Sequence, residues 1–295
     1  MDHFEENQAP FNQLSGKLLR KIRESKGYTQ KQVAQGIMRQ STYSKIEREE
    51  TEPSAPKLFA ILDRLEMTVE EFLFIQGNYS HSKKGSLVYA FISQSYNNPK
   101  ELEKLKDEVS HYLKYNEDPV IKDIEAIYTG LIVFAQTHDI RLARKYVQPV
   151  WDRLERFDDW RLTEIYLVNN ILYFFNADSA IHISDRAVTQ LDKYENYRAS
   201  NDLRFNFQFN LVYLLIDNHQ YSEALTSLEN LILDAKELKK HDMLAVCYTR
   251  KGVSLIQSGD PTGEKWIRKG TNILEVIEED TLKQRLEEEV RAFLA

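Results

Sequence analysis

The 295-residue chain carries 39 Lys and Arg against 46 Asp and Glu, a net charge of −7, with 42% hydrophobic and 29% charged residues. That length suits about two domains with proper cores, and 10 Gly and 7 Pro argue against long strand-and-turn architectures. No segment approaches the ~20 apolar residues of a membrane span, and a single cysteine, Cys247, excludes an internal disulfide.

Residues 1–13 read as a flexible arm. MDHFEENQAPF is acidic and has no apolar run, so it is not expected to be a signal peptide. Cys247 lies in MLAVCYT among apolar neighbours, as expected of a small core residue. The expected compartment is the cytoplasm.

Residues 14–75 read as five short helices. A first helix carries Leu18, Ile22 and basic residues and stops at Gly27. A short second helix opens at Thr29-Gln30 and buries Val33 and Ala34. A tight turn leads to a third helix with Tyr43 and Ile46 inward and Gln40, Ser41 and Lys45 outward. Two such helices joined by a short turn form a helix-turn-helix, whose second helix enters a DNA major groove. Leu58, Ile61, Leu62 and Leu65 give a fourth helix after Pro53 and Pro56. Val69, Phe72 and Leu73 give a fifth, opened by Thr68 with Glu71 three residues on. Between Lys17 and Lys45 eight positive residues face one negative one, Glu24, so this segment sums to 8 − 1 = +7 and the remainder of the chain to −14. A basic block on an acidic chain suits phosphate contacts. The expected DNA-contacting residues are Gln30, Arg39, Gln40, Ser41, Thr42 and Lys45.

Residues 76–86 (QGNYSHSKKGS) have linker composition. From Leu87 to the end the pattern is helical with recurrent breaks at Asn97-Asn98-Pro99, His138-Asp139, Asn176-Ala177-Asp178, Asn218-His219-Gln220 and Ser258-Gly259-Asp260-Pro261. Steps from Asn98 to His138, Asn176, Asn218 and Ser258 are 40, 38, 42 and 40 residues. A fixed period of this size marks a solenoid of helical hairpins, similar to tetratricopeptide repeats but longer than their usual ~34 residues. Each break falls between helix A and helix B of a hairpin, and small residues at Ala224 and Gly252 let paired helices approach. The fold class is therefore all-α: a five-helix helix-turn-helix domain, then a tetratricopeptide-like α-solenoid over 87–295.

Two A helices mix amides with large apolar residues. IYLVNNILYFFN carries Asn169, Asn170 and Asn176, and RFNFQFNLVYLL carries Arg204, Asn206, Gln208 and Asn210 among phenylalanines. Buried amides need hydrogen-bond partners. Either they cap neighbouring repeats or bind water, or they clamp the backbone of an extended peptide on a concave face while the aromatics take its side chains. The expected peptide-binding residues are Asn169, Asn170, Tyr173, Arg204, Phe209, Asn210 and Tyr213, with Arg204 a partner for a carboxylate.

No enzyme is expected. The seven histidines are scattered, no two stand at metal-ligand spacing, and no glycine pattern forms a phosphate loop. Carboxylate pairs such as Asp158-Asp159 fall at polar helix ends. No catalytic residue, metal or cofactor is expected.

A helix-turn-helix followed by five degenerate hairpins resembles the Rgg family of Gram-positive transcription regulators, part of the wider group of peptide-pheromone receptors that includes PlcR and PrgX. The resemblance covers nearly the whole chain. The short spacing from Ala34 to Glu47 looks like that family's turn, and Ser41, Ser44, Glu47 and Arg48 in RQSTYSKIERE match its helix pattern. DDWRLTEIYLVNNILYFFN is similar to its Trp-containing third unit, with Asn170 and Asn210 where members place pheromone-contacting asparagines. The resemblance also implies an interior ion pair between Arg23 and Glu47. The chain departs from the pattern in having Arg39 for a serine cap, Glu49 for a glycine after the recognition helix, and Tyr173 for an arginine. No cysteine lies in the DNA-binding domain, so a disulfide across a dimer there is excluded.

The implied protein is a homodimeric transcription regulator that binds double-stranded DNA with two half-sites and responds to a short hydrophobic peptide, with no membrane partner. The alternatives are a regulator of the same fold that answers a small metabolite or nothing, and a repeat-based adaptor. The helix Thr281–Leu294, with Leu282, Leu286, Val290 and Phe293 on one face, either caps the last repeat or pairs across the dimer.

Overall fold

The computed structural model describes residues 14–93, 99–194, 197 and 200–294, all helix, turn or loop without strand. The expected arm at 1–13 and the break at 97–98 lie outside the described residues. Two compact units divide between Lys122 and Asp123.

The first unit opens with α1 (Gly16–Ser25), α2 (Gln30–Ala34), α3 (Gln40–Glu47), α4 (Ala55–Arg64) and α5 (Val69–Gln76). Their ends are set by local chemistry. Ser15 Oγ accepts from Leu18 N, Thr29 and Gln32 form a reciprocal capping box, and Thr68 Oγ1 accepts from Glu71 N. Leu19, Ile22, Val33, Ala34, Tyr43, Ile46, Ile61, Leu62, Leu65 and Phe72 form the core. Two expectations shift. Leu19 rather than Leu18 fills the centre, and α5 buries only Phe72, leaving Val69 and Leu73 exposed. A one-turn-wide contact needs a single anchor from so short a helix.

The α1 N-terminus lies hard against the end of α3: a Cβ on Gly16 would stand 2.0 Å from the Ile46 carbonyl. Glu49 takes the left-handed conformation there, at φ 63°. Glu49 N bonds Ile46 O and Glu50 N bonds Lys45 O, the paired closure of a helix C-terminus that glycine usually serves. The Glu49 side chain offsets the strain, because its carboxylate accepts from Lys17 N at 3.3 Å and pairs with Lys17 Nζ at 3.4 Å.

In the same unit are α6 (Lys83–Ser93) and α7 (Pro99–Leu113). Helix α6 begins inside the stretch read as linker. The polar residues before it are held by rings: His81 lies 5.3 Å from Phe74 and stacks on Tyr89 at 5.5 Å.

The second unit holds most of α8 (Pro119–Thr137), then α9 (Ile140–Leu154), α10 (Leu162–Ile171), α11 (Ala177–Asp192), α12 (Ser200–Asp217), α13 (Tyr221–Glu237), α14 (His241–Gln257), α15 (Gly263–Val276) and α16 (Asp280–Leu294). These are four hairpins and a final helix, with A helices α8, α10, α12 and α14. The expected breaks fall between A and B helices. His138, His219 and Gly259 adopt positive φ at three of them, the helix-ending conformation. At the fourth, α10 tightens into a 3-10 turn over Leu172–Phe174, and Asn176 caps α11 through Ser179 N. Helices α10 and α12 pack together, as do α12 and α14. Trp160 is fully buried before α10, donating to the Leu154 carbonyl at 2.8 Å under the Arg186 guanidinium. Helices α14 and α15 cross closely: a Cβ on Gly252 would lie 2.5 Å from the Gly263 carbonyl. Helix α16 packs on α14 and α15 of its own chain, with Leu282 and Leu286 buried and Val290 and Phe293 against the core. Among the described residues no helix is long and apolar enough to cross a membrane, and no group of His, Cys, Asp or Glu is arranged to hold a metal ion.

Candidate functional site

The helix-turn-helix is organised around one buried ion pair. Arg23 is 8% exposed and Glu47 2%. Arg23 Nε donates to Glu47 Oε1 at 2.6 Å, Nη2 donates to Oε2 at 3.0 Å, and Nη1 donates to the Tyr28 carbonyl at 2.9 Å. This fork joins α1 to α3 and closes the turn before α2. Burial pushes the Glu47 carboxyl up, but hydrogen bonds from Arg23 and then Gln30 outweigh it and hold the group below the usual carboxylate range.

From Glu47 the network runs to the surface. Gln30 Nε2 donates to Glu47 Oε2 at 2.7 Å, and Gln40 Nε2 donates to Gln30 Oε1 at 2.7 Å. The amide orientations follow from chemistry. A carboxylate only accepts, so Gln30 turns its NH2 inward and its oxygen outward, and Gln40 must then donate. That leaves Gln40 with a free oxygen and a second N–H, the acceptor–donor pair that matches adenine in a major groove. A groove lined by Arg23, Tyr28, Thr29, Gln30, Lys31 and Gln40 opens beside the pair.

The other expected DNA residues stand around it. Arg39, Gln40, Ser41 and Lys45 are exposed, while Thr42 and Gln30 are half-buried. Arg39 is the N-cap of α3 and makes no side-chain cap bond, so the first turn of α3 keeps open backbone donors beside a guanidinium. Both attract phosphate.

On the A helices the structure joins some of the expected residues. Asn210 Nδ2 on α12 donates to Asn169 Oδ1 at 3.1 Å and lies 3.4 Å from the Asn169 carbonyl on α10. Asn170 Nδ2 donates one turn back to the Tyr166 carbonyl at 2.9 Å. Tyr173 stacks on Phe174 with centroids 4.3 Å apart, and burial pushes its hydroxyl pKa well above the ordinary value. Arg204 is drawn aside by Asp192, 2.6 Å away.

Phe209 and Tyr213 meet Arg250, which sequence reasoning missed together with its partner Glu289. The Arg250 guanidinium on α14 lies 4.5 Å from the Phe209 ring centroid and 5.2 Å from that of Tyr213. Arg250 Nη1 donates to the Phe209 carbonyl at 3.1 Å, and Nε and Nη2 donate to Glu289 of α16 at 2.8 and 3.2 Å. Tyr213 also meets Phe293, with centroids 5.6 Å apart. A lone arginine in MLAVCYTRKGVSL was the available signal, since residues 244–250 are buried on every side.

A Gln30–Gln40 amide pair leading from a buried ion pair to the surface, beside exposed Lys31, Arg39 and Lys45 in a helix-turn-helix that is followed by helical hairpins, defines a helix-turn-helix transcription regulator. Residues 19–72 match the helix-turn-helix family, and residues 102–288 match the C-terminal domain of the HTH-type transcriptional regulator Rgg. The chain belongs to the Rgg family. Its fold is similar to that of a protein of Listeria monocytogenes EGD-e assigned as a transcriptional regulator, at 23% identity, a TM-score of 0.75, and coverage of 95% of this chain and 96% of that one. The Streptococcus dysgalactiae SHP pheromone receptor Rgg2 is similar at 19% identity and a TM-score of 0.68, over 94% and 99% of the two chains. Bacillus thuringiensis PlcR, solved with the peptide PapR7 and DNA, is similar at 17% identity and a TM-score of 0.66, over 92% and 98%.

Proposed function

We propose that this chain is a cytoplasmic homodimer that reads a two-half-site promoter through residues 14–75 and is controlled by a short apolar peptide held by residues 87–295. Gln40 and Lys45 read bases, Ser41 and Thr42 flank them, and Gln30 and Arg39 grip phosphates. On the repeats, Asn169, Asn170 and Asn210 clamp the peptide backbone, with Tyr173, Phe209 and Tyr213 for its side chains. Arg204 serves a peptide carboxylate only after leaving Asp192. The observation that carries the peptide reading is the Asn210–Asn169 bond, because it puts a buried amide, Asn169, and a half-buried one, Asn210, on adjacent A helices within one peptide unit of each other. An extended backbone offers the same donor and acceptor groups and can insert between them. The pheromone and peptide partners of Rgg2 and PlcR agree with this reading.

The test is a fluorescein-labelled library of apolar octapeptides titrated into wild type and Asn210→Ala. Losing one clamping amide should weaken the best binder by about 1–3 kcal/mol, roughly ten- to hundred-fold. Operator binding without peptide should hold. Equal affinity in the two proteins moves the site elsewhere, and no binding by wild type favours a metabolite or constitutive regulator.

A further inference from the structure

We propose that Arg250 is a carboxylate-binding site held shut by Glu289, and that it receives the free C-terminal carboxylate or an acidic side chain of a peptide on the A helices. The proposal rests on the peptide reading above.

A guanidinium within the buried stretch 244–250 requires an anion. Here the anion comes from the far end of the chain. The two parallel bonds from Glu289 occupy one edge of the Arg250 fork, and the Phe209 carbonyl takes part of the rest. The faces of the guanidinium border Phe209 and Tyr213. Those rings flank Asn210 on α12, so Arg250 is the buried cation beside the proposed peptide track. Arg204, the other cation on α12, already pairs with Asp192.

Glu289 is the replaceable member of the pair. Its side chain is 22% exposed against 8% for Arg250. It stands on the last helix, next to exposed Glu287 and Glu288, so a displaced side chain can turn to water. Exchanging one carboxylate for another keeps the buried guanidinium paired, which removal of the carboxylate would not. The planar fork fits any carboxylate equally well. The exchange would leave α16 tied beside this point by the Phe293–Tyr213 rings and by Gln257 Nε2 donating to the Phe293 carbonyl.

The experiment uses the full-length protein and one synthetic library of octapeptides, apolar but with Asp and Glu allowed at every position, made in two forms, free acid and C-terminal amide. Retained peptides are sequenced from wild type, Glu289→Gln and Arg250→Lys. Wild type should favour acids. Glu289→Gln should bind them about tenfold more tightly, the order of one charge-assisted hydrogen bond gained by the ligand. Arg250→Lys, which keeps the charge and loses the fork, should lose the preference. Retained amides enriched in Asp or Glu would assign the anion to a side chain within the same proposal. Acids and amides retained equally by wild type and by Glu289→Gln would overturn the Arg250 assignment and leave the peptide reading standing. No retention of either form by either protein would overturn both. Glu289→Gln keeps the outcome readable if Arg250→Lys fails to fold.

Discussion

Glu47 separates two kinds of role in the DNA-binding half. Removing one partner of a buried ion pair costs about 3–5 kcal/mol, so Glu47→Ala should lose DNA binding by melting the helix-turn-helix. A variant that melts like wild type and still fails to bind would contradict this. The pH dependence has a definite sign. Glu47 titrates below its ordinary value of 4.5 when folded, so its contribution is full above that value and fades as pH falls through the lower folded one. Glu47→Gln should therefore be less stable than wild type at pH 7, with the gap narrowing in acid, read by thermal melts across pH. Gln40→Ala and Lys45→Ala should each cost about 1–3 kcal/mol on the true operator and little on random DNA. Equal losses on both would make them phosphate contacts. Gln30→Ala should weaken all sequences and, by releasing Gln40, blunt its base preference as well. The exposed residues of α3 were legible in the sequence from helical spacing alone. The Gln30–Gln40 bond was not, because side chains ten residues apart meet only once the turn between α2 and α3 is built. Arg250 was hidden for a related reason: its carboxylate lies 39 residues further on.

Helices were readable where a break had a chemical cause. His138, His219 and Gly259 end helices in the left-handed conformation that their polar, turn-prone surroundings announced. The 3-10 turn at Leu172–Phe174 had no such mark, since LYFF reads as more helix. In residues 76–86 composition did not mark that α6 already begins at Lys83, nor that His81 lies against the Phe74 and Tyr89 rings. The fifth helix was legible from its Thr68 cap and apolar residues, although α5 meets the core through Phe72 alone. Close helix contacts give the sharpest test at this scale. Gly252→Ala would place a methyl against the Gly263 carbonyl and drive α14 from α15. Overpacking of this sort costs about 1–3 kcal/mol, which urea denaturation should show as a lower midpoint with the slope unchanged.

Across the whole chain, the period of about forty residues yielded the hairpins, and the basic block yielded the DNA-binding half. The role of the last helix was open in the sequence, because one apolar face serves a cap or a partner equally well. The structure lays Leu282 and Leu286 against the chain's own α14 and α15, so this apolar face caps the last hairpin. A two-fold operator needs two reading heads about 34 Å apart or a multiple of that. Light scattering at micromolar concentration should return twice the chain mass, and it should do so for Leu286→Ala as well where that variant remains folded. A stable monomer would refute the dimer.

The single thiol has a practical consequence. Cys247 is fully buried, and burial pushes its pKa up to about 12. Only the thiolate reacts with disulfide reagents and maleimides, and at neutral pH almost none exists. Ellman's reagent should therefore find no thiol in the native protein and one after denaturation in urea. The native surface is then chemically silent to these reagents. One cysteine introduced on α3 and another on α16 would each take a fluorophore cleanly, so the distance between the two halves of the molecule can be followed by energy transfer as operator DNA and peptides are added.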